Sequence, residues 1–202
     1  MGSHQASKPA GAVALPDERG PLSYAVAAAQ GPVRLHYMPP PERLRLYFGS
    51  LYHFSVTADS YADATRADVP QLRFMLSGNG HYQFQDGAKV ATPTVCLLGP
   101  TMGATRFVLN GPARVLGISL LPAGWRSLCG QDASDLADRL LDFTDVHEGV
   151  FAALLDRLRN EILAGDLDGG ELDVRLGSVA ADVMQTGAAM LRTRLRRVVN
   201  GT

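Results

Sequence analysis

Between Val33 and Leu121 the sequence runs in short stretches of alternating apolar and polar residues, and each stretch is stopped by Gly, Pro or Asn. This pattern constrains the chain more than any other feature. A period of two matches the pleat of a β-strand and not the 3.6-residue turn of a helix. Val33, Leu35 and Tyr37 alternate until Pro39, Pro40 and Pro41. Leu44, Leu46, Phe48, Tyr52, Phe54 and Val56 share even positions, which predicts one strand face, with Gly49 as a bulge site. A polar connection is expected from Ala58 to Asp68. Leu72, Phe74 and Leu76 resume the alternation up to Ser77, Gly78, Asn79 and Gly80, which predict a hairpin turn. Tyr82 and Phe84 lead to a second turn at Asp86 and Gly87, and strands are expected over Val90 to Leu98, Thr105 to Leu109 and Ala113 to Leu121. Short strands at this spacing predict an antiparallel barrel or sandwich.

Near Pro122 the period changes. Ala123 to Cys129 is expected as a short helix between Pro122 and Gly130, and Ala133 to Leu140 as another. Asp145 with Glu148 forms a capping box for a longer helix that ends near Gly165. An acidic linker, Gly165 to Glu171, leads to a last helix carrying Leu176, Val179, Ala180, Val183, Leu191, Leu195 and Val198, with a break expected at Gly187. Tyr24 to Gln30 suggests a short helix in an otherwise loosely held N-terminal segment. The organisation expected is therefore a segment 1–31, a β domain 32–121 and a helical segment 122–202.

At 202 residues, 46% hydrophobic and 19% charged, the chain has enough apolar surface for a real core. A net charge of -1 gives no basic footprint for nucleic acid. No apolar run reaches the 18 or so residues of a membrane span, and no export signal is evident. The two cysteines, Cys96 and Cys129, stand in apolar settings, which suits reduced thiols in the cytoplasm.

Few residues suggest chemistry. His36, His53 and His81 lie on expected strands and could converge on a metal ion, but they form no His-x-His pair and have no glutamate at ligand spacing, so packed or surface histidines are preferred and no metal or cofactor is expected. There is no nucleophile elbow and no phosphate loop. Arg192, Arg194, Arg196 and Arg197 crowd the last helix; phosphate contact is one reading, and the preferred one is a solvated face near a helix C-terminus, where the macrodipole favours cations.

The stretch from Leu98 to Leu141 adds a family resemblance. Gly99 and Pro100, Gly117, Pro122 and Gly124, and the run Asp135 to Asp138 stand in an order that resembles the N-terminal sensor domains of AraC-type bacterial transcription regulators, over roughly Pro40 to Leu163. The resemblance implies a cupin-like barrel that senses a small-molecule effector or dimerises, is not an enzyme, and reaches DNA only through a helix-turn-helix pair. No such pair follows before Thr202, so the expectation is the sensor part of a longer regulator. Phe48, Tyr52, Arg73, Met75, Tyr82, Arg106 and Trp125 are the candidate effector-binding residues. The stripe of Phe151, Leu155, Leu158 and Ile162 is the candidate surface for a homodimer. The competing expectation is a cupin-like metal-dependent enzyme acting on a small molecule.

Overall fold

A computed structural model describes residues 28–144, 150–163 and 169–200. Among them one antiparallel sheet holds the strands in the order β1-β2-β3-β8-β5-β7-β9, with β4 added on β8 and β6 on β5. These strands are β1 (Ala28–Gln30), β2 (Val33–Met38), β3 (Phe48–Val56), β4 (Ser60–Thr65), β5 (Gln71–Gln83), β6 (Lys89–Ala91), β7 (Val95–Leu98), β8 (Thr105–Leu120) and β9 (Leu140–Asp142). Three α-helices follow or flank the last strands: α1 (Pro122–Leu128), α2 (Val150–Leu163) and α3 (Gly169–Asn200).

The sheet is creased across its two longest strands. β5 and β8 pair from Gln71↔Ser119 to Ser77↔Arg114, then resume at Asn79↔Asn110 and continue to Gln83↔Arg106. Such a register jump marks bulges, which bend the strands that carry them. This corrects the hairpin expected at Ser77 to Gly80, and equally the break between two strands expected at Asn110 to Pro112. The glycines answer to close approach: Gly78 has φ of +77°, and a Cβ on it would stand 2.7 Å from both the Ala113 Cβ and the Asn110 carbonyl oxygen. A bulge and a turn recruit glycine for the same conformational freedom, so local sequence does not separate them. The turn at Asp86 and Gly87 does form, closing β5 onto β6 with the Gly87 amide donating to the Phe84 carbonyl at 3.0 Å.

A second irregularity lies where Gly49 suggested it. The β3–β8 register shifts between Phe48 and Leu51, so the even positions expected on one face are divided. Phe48 turns with Leu51 toward the helices, Tyr52 and Phe54 turn to the opposite face, and Leu46 is 77% exposed ahead of the strand. Leu44 sits in a 3-10 turn, Glu42–Leu44. Other expectations change as well. Ser60–Thr65, inside the supposed polar connection, pairs with β8 as β4. Thr92 to Thr94 divides Val90 to Leu98 into β6 and β7. Ala28 to Gln30, expected as the end of a helix, pair with β2.

After the sheet, α1 starts on Pro122 and is followed by Gly130 at φ of +66°, as the flanking residues predict. Ala133 to Leu140 does not form the helix expected. It makes a 3-10 turn, Ser134–Leu136, passes through Asp138 at φ of +53°, and enters β9. β9 supplies backbone partners for the edge of β7, a demand that local helix propensity cannot express. The sheet therefore extends past residue 121. Asp145, Glu148 and Gly165 lie outside the described residues. α3 runs through Gly187 unbroken, since an interior glycine costs only about 1 kcal/mol relative to alanine.

The principal core lies between the sheet and the helices. Leu72, Phe74 and Leu76 of β5 and Leu116, Ile118 and Leu120 of β8 meet Phe151, Leu154, Leu155, Leu158 and Ile162 of α2 and Leu176, Val179, Ala180 and Val183 of α3. The candidate dimer stripe is thus spent inside the chain: Phe151, Leu155, Leu158 and Ile162 are each 3% exposed or less. These four side chains are therefore not available to a second copy, because this face of α2 packs on the sheet and α3.

On this side of the sheet His36 and His53 are cross-strand neighbours. His36 Nε2 lies 2.7 Å from an Asp173 carboxylate oxygen and ties β2 to α3. His53 Nε2 is buried without a hydrogen-bond partner, and burial, with Arg114 and His36 nearby, pulls its pKa down to about 4. An unfolded chain binds a proton at this residue near pH 6.5 while the folded chain does not. Stability should therefore fall as pH drops from about 6.5 to 4, by up to about 3 kcal/mol at about 1.4 kcal/mol per pH unit. His53→Leu is expected to flatten the dependence of the melting temperature on pH across that window. A wild-type slope retained by the variant would assign it to other groups.

Candidate functional site

The opposite face of the crease encloses a cavity of about 200 Å³. Both halves of the bent sheet line it. Leu35 and Tyr37 enter from β2, Tyr52 and Phe54 from β3, Gln71, Arg73 and Met75 from β5, and Val115 from β8, while Tyr82, Phe107 and Leu109 enter from beyond the bulges. Strand alternation accounts for these memberships. On β5, residues 71, 73 and 75 face the cavity while 72, 74 and 76 face the helices, and the bulges move the cavity face to Tyr82. An engineered apolar cavity of about 150 Å³ holds benzene, so this volume is the size of a compact metabolite and far below a dinucleotide.

The walls are mostly aromatic. Phe107 lies edge-on to Phe54 with ring centroids 6.3 Å apart, and within 6.1 Å of both Tyr61 and Tyr82. Tyr37 meets Tyr52 at 5.6 Å. At the other end a polar cluster is built around Gln71. Its Oε1 accepts from the Tyr52 hydroxyl at 2.8 Å, from Arg73 Nε at 2.9 Å and from Arg73 Nη2 at 2.7 Å, while its Nε2 donates to Asp68 at 2.6 Å. Arg73 is 8% exposed, and its guanidinium lies 5.2 Å from the centroid of the Tyr82 ring, within cation–π range.

Burial sets the protonation states of the lining groups. The Tyr52 hydroxyl is pushed up to about 12 by burial, against an opposing pull from Arg73, and stays a donor at neutral pH. The Cys96 thiol is likewise pushed up to about 12 by burial and is an unreactive thiol. Asp63 and Asp68 line the cavity but are exposed at its rim. Asp63 accepts from the Tyr61 hydroxyl at 2.6 Å and Asp68 from the Val69 amide at 2.8 Å.

Of the seven candidate binding residues, the structure brings Tyr52, Arg73, Met75 and Tyr82 together at the cavity. Phe48 and Trp125 lie in the helix–sheet core, where the Trp125 indole donates to the Gln131 carbonyl at 2.8 Å. Arg106 projects from the other face of β8 into a separate shallow groove with His81 and Gln83. Gln71, Tyr37, Phe54 and Phe107 were missed. The period of two from Arg73 and Met75 points to Gln71, and from Tyr52 to Phe54, whereas Phe107 depends on how the sheet is creased.

The three histidines do not share a site. His36 and His53 face the helices and His81 pairs across to Val108 on the distant half of β8. Among the described residues no three His, Cys, Asp or Glu side chains are grouped as metal ligands, and no histidine is among the residues that line the cavity. The side chains of Arg192, Arg194, Arg196 and Arg197 lie outside the described residues. No helix among the described residues is long and apolar enough to cross a membrane.

No protein-family model and no curated protein matches the sequence. Solved structures do. A cupin superfamily protein from Desulfitobacterium hafniense is 21% identical over 53% of this chain and 94% of its own, with a TM-score of 0.35. A predicted oxalate decarboxylase from Thermotoga maritima is 16% identical over 44% of this chain and 81% of its own, at 0.34. Pac13, a nucleoside dehydratase, is 11% identical over 46% of this chain and 73% of its own, at 0.32. None of these similar structures is described as an AraC-type regulator, and at such scores none lends this chain an activity. They do correct one expectation: chains described as enzymes stand among the similar structures, so the assignment of a non-enzymatic module is withdrawn. The antiparallel sheet with following helices that the sequence predicts is the architecture observed.

Proposed function

We propose that this chain is a small-molecule-sensing domain whose cavity takes an effector and whose helices report its presence. The observation that carries this reading is the double role of β5. Gln71, Arg73 and Met75 line the cavity, and the alternate residues Leu72, Phe74 and Leu76 pack in the core with α2 and α3. The link is also polar, because Arg159 of α2 donates to the carbonyl oxygens of Met75 at 3.2 Å and Leu76 at 3.1 Å. An occupant that moves Met75 therefore acts on groups that hold α2. Interiors are close-packed, so a displacement on one face of a strand is felt on the other.

In its finer form, carried by the sequence resemblance, this is the sensor part of an AraC-type regulator working in the cytoplasm. A homodimer of it would use a surface other than the buried α2 stripe.

The test is a thermal-shift screen of small aromatic compounds, followed by amide hydrogen exchange with the best binder. Exchange should slow in β5 and change in α2 and α3 as well. Protection confined to the cavity strands would reject the sensing role, and a screen without any binder would reject the cavity as a binding site.

A further inference from the structure

The sensing reading leaves the occupant's chemistry open, and Arg73 narrows it. A buried charge is ordinarily paired, because moving it out of water unpaired costs several kcal/mol. Arg73 is 8% exposed and makes no ion pair among the described residues. Its hydrogen bonds there go only to the Gln71 amide oxygen. That one oxygen also receives the Tyr52 hydroxyl, so three donor atoms converge on a neutral group with two lone pairs. Among the described residues the polar end of the cavity therefore holds more donors than acceptors, and no carboxylate pairs with its charge.

The two carboxylates on the lining do not supply the balance. Asp63 and Asp68 sit exposed at the rim, where water screens them, and Asp68 reaches Arg73 only through Gln71. Away from Arg73 the cavity is lined by Met75, Phe54, Phe107 and Tyr82, which suit a flat apolar body.

We propose that the cavity binds a compact aromatic carboxylate, its carboxylate on the free edge of the Arg73 guanidinium and its ring packed against the cluster of Phe54, Phe107 and Tyr82. Arginine presents N–H groups in a planar fork that matches a carboxylate in two parallel bonds. The Tyr52 hydroxyl, a donor at neutral pH, can turn from Gln71 to the same anion. This proposal rests on the sensing reading and specifies its ligand.

The test compares benzoate with benzamide and benzylammonium, which keep the ring and change the charge. Affinities come from isothermal titration, and a shift of the Met75 methyl resonance places each probe in the cavity. Benzoate is expected to bind wild-type protein at least tenfold more tightly than benzamide. Arg73→Met is expected to lose that preference and retain benzamide, and Arg73→Lys to keep part of it. The wild-type comparison needs no variant, so it stands even where Arg73→Met does not fold. Benzamide or benzylammonium binding at Met75 as tightly as benzoate would overturn the carboxylate assignment and leave the sensing reading intact. If none of the three binds, while neutral aromatics from the screen do, the assignment is again overturned alone. Failure of every compound overturns both.

Discussion

Phe151→Ala is expected to destabilise the protein by about 3–5 kcal/mol, read as a lower midpoint in urea denaturation followed by far-ultraviolet circular dichroism. Phe151 is fully buried, and its ring lies 5.8 Å from Phe143 and 6.5 Å from Phe74 between centroids. It is the aromatic contact of α2 with the sheet. Truncation removes its transfer energy and leaves a cavity that the rigid strand beneath cannot fill. Against a total stability of about 5–15 kcal/mol for a domain, the loss is a large fraction. The same geometry reverses what a dimer stripe would predict. Leu155→Glu and Leu158→Glu would yield a folded monomer if these residues held two copies together. At 3% and 0% exposure they are expected instead to unfold the chain, because each places an unpaired charge in the core. A folded, monomeric Leu158→Glu variant would show that α2 does not lie on the sheet in solution.

Gly117→Ala is expected to abolish binding in the cavity and to cost about 1–3 kcal/mol of stability, as overpacking does. A Cβ at this position would stand 2.0 Å from Cζ of Tyr52 and 2.3 Å from its Cε1 and hydroxyl oxygen. Aromatic rings do not bend, so Tyr52 must leave its place across β8, and its hydrogen bond to Gln71 is lost with it. The check is a double-mutant cycle. Tyr52→Leu removes the colliding atoms, so Gly117→Ala made in that background should cost much less, and melting curves of the four proteins measure the coupling. Equal costs in both backgrounds would show that Tyr52 does not lie over Gly117. The arrangement also explains why a glycine occupies the middle of a long central strand, where it otherwise weakens the sheet.

Much of the cavity was legible along the chain because alternation is a local property. Once Arg73 and Met75 share a face, Gln71 must share it, and Tyr52 and Phe54 follow the same rule on β3. The choice of face was not legible, since Phe48 and Tyr52 have the same parity and only the shift in β3 pairing parts them. Arg106 failed as a cavity residue for a similar reason. It neighbours Phe107 on β8, and neighbours on a strand point to opposite faces.

What the sequence by itself determined is that alternating, extended chain runs between Val33 and Leu121, with the turn at Gly87, the start of α1 on Pro122 and the apolar stripe of α2. Each follows from periodicity or from backbone chemistry within a few residues. Only the tertiary structure decided that Gly78 and Gly111 lie in one crease and not in two hairpins, and that Ser60–Thr65 and Leu140–Asp142 are strands. It alone decided that the α2 stripe faces this chain's own sheet and that Arg73, among the described residues, ends without an acidic partner. These outcomes depend on which backbone edge or side chain arrives from far along the chain, and no local pattern records that arrival.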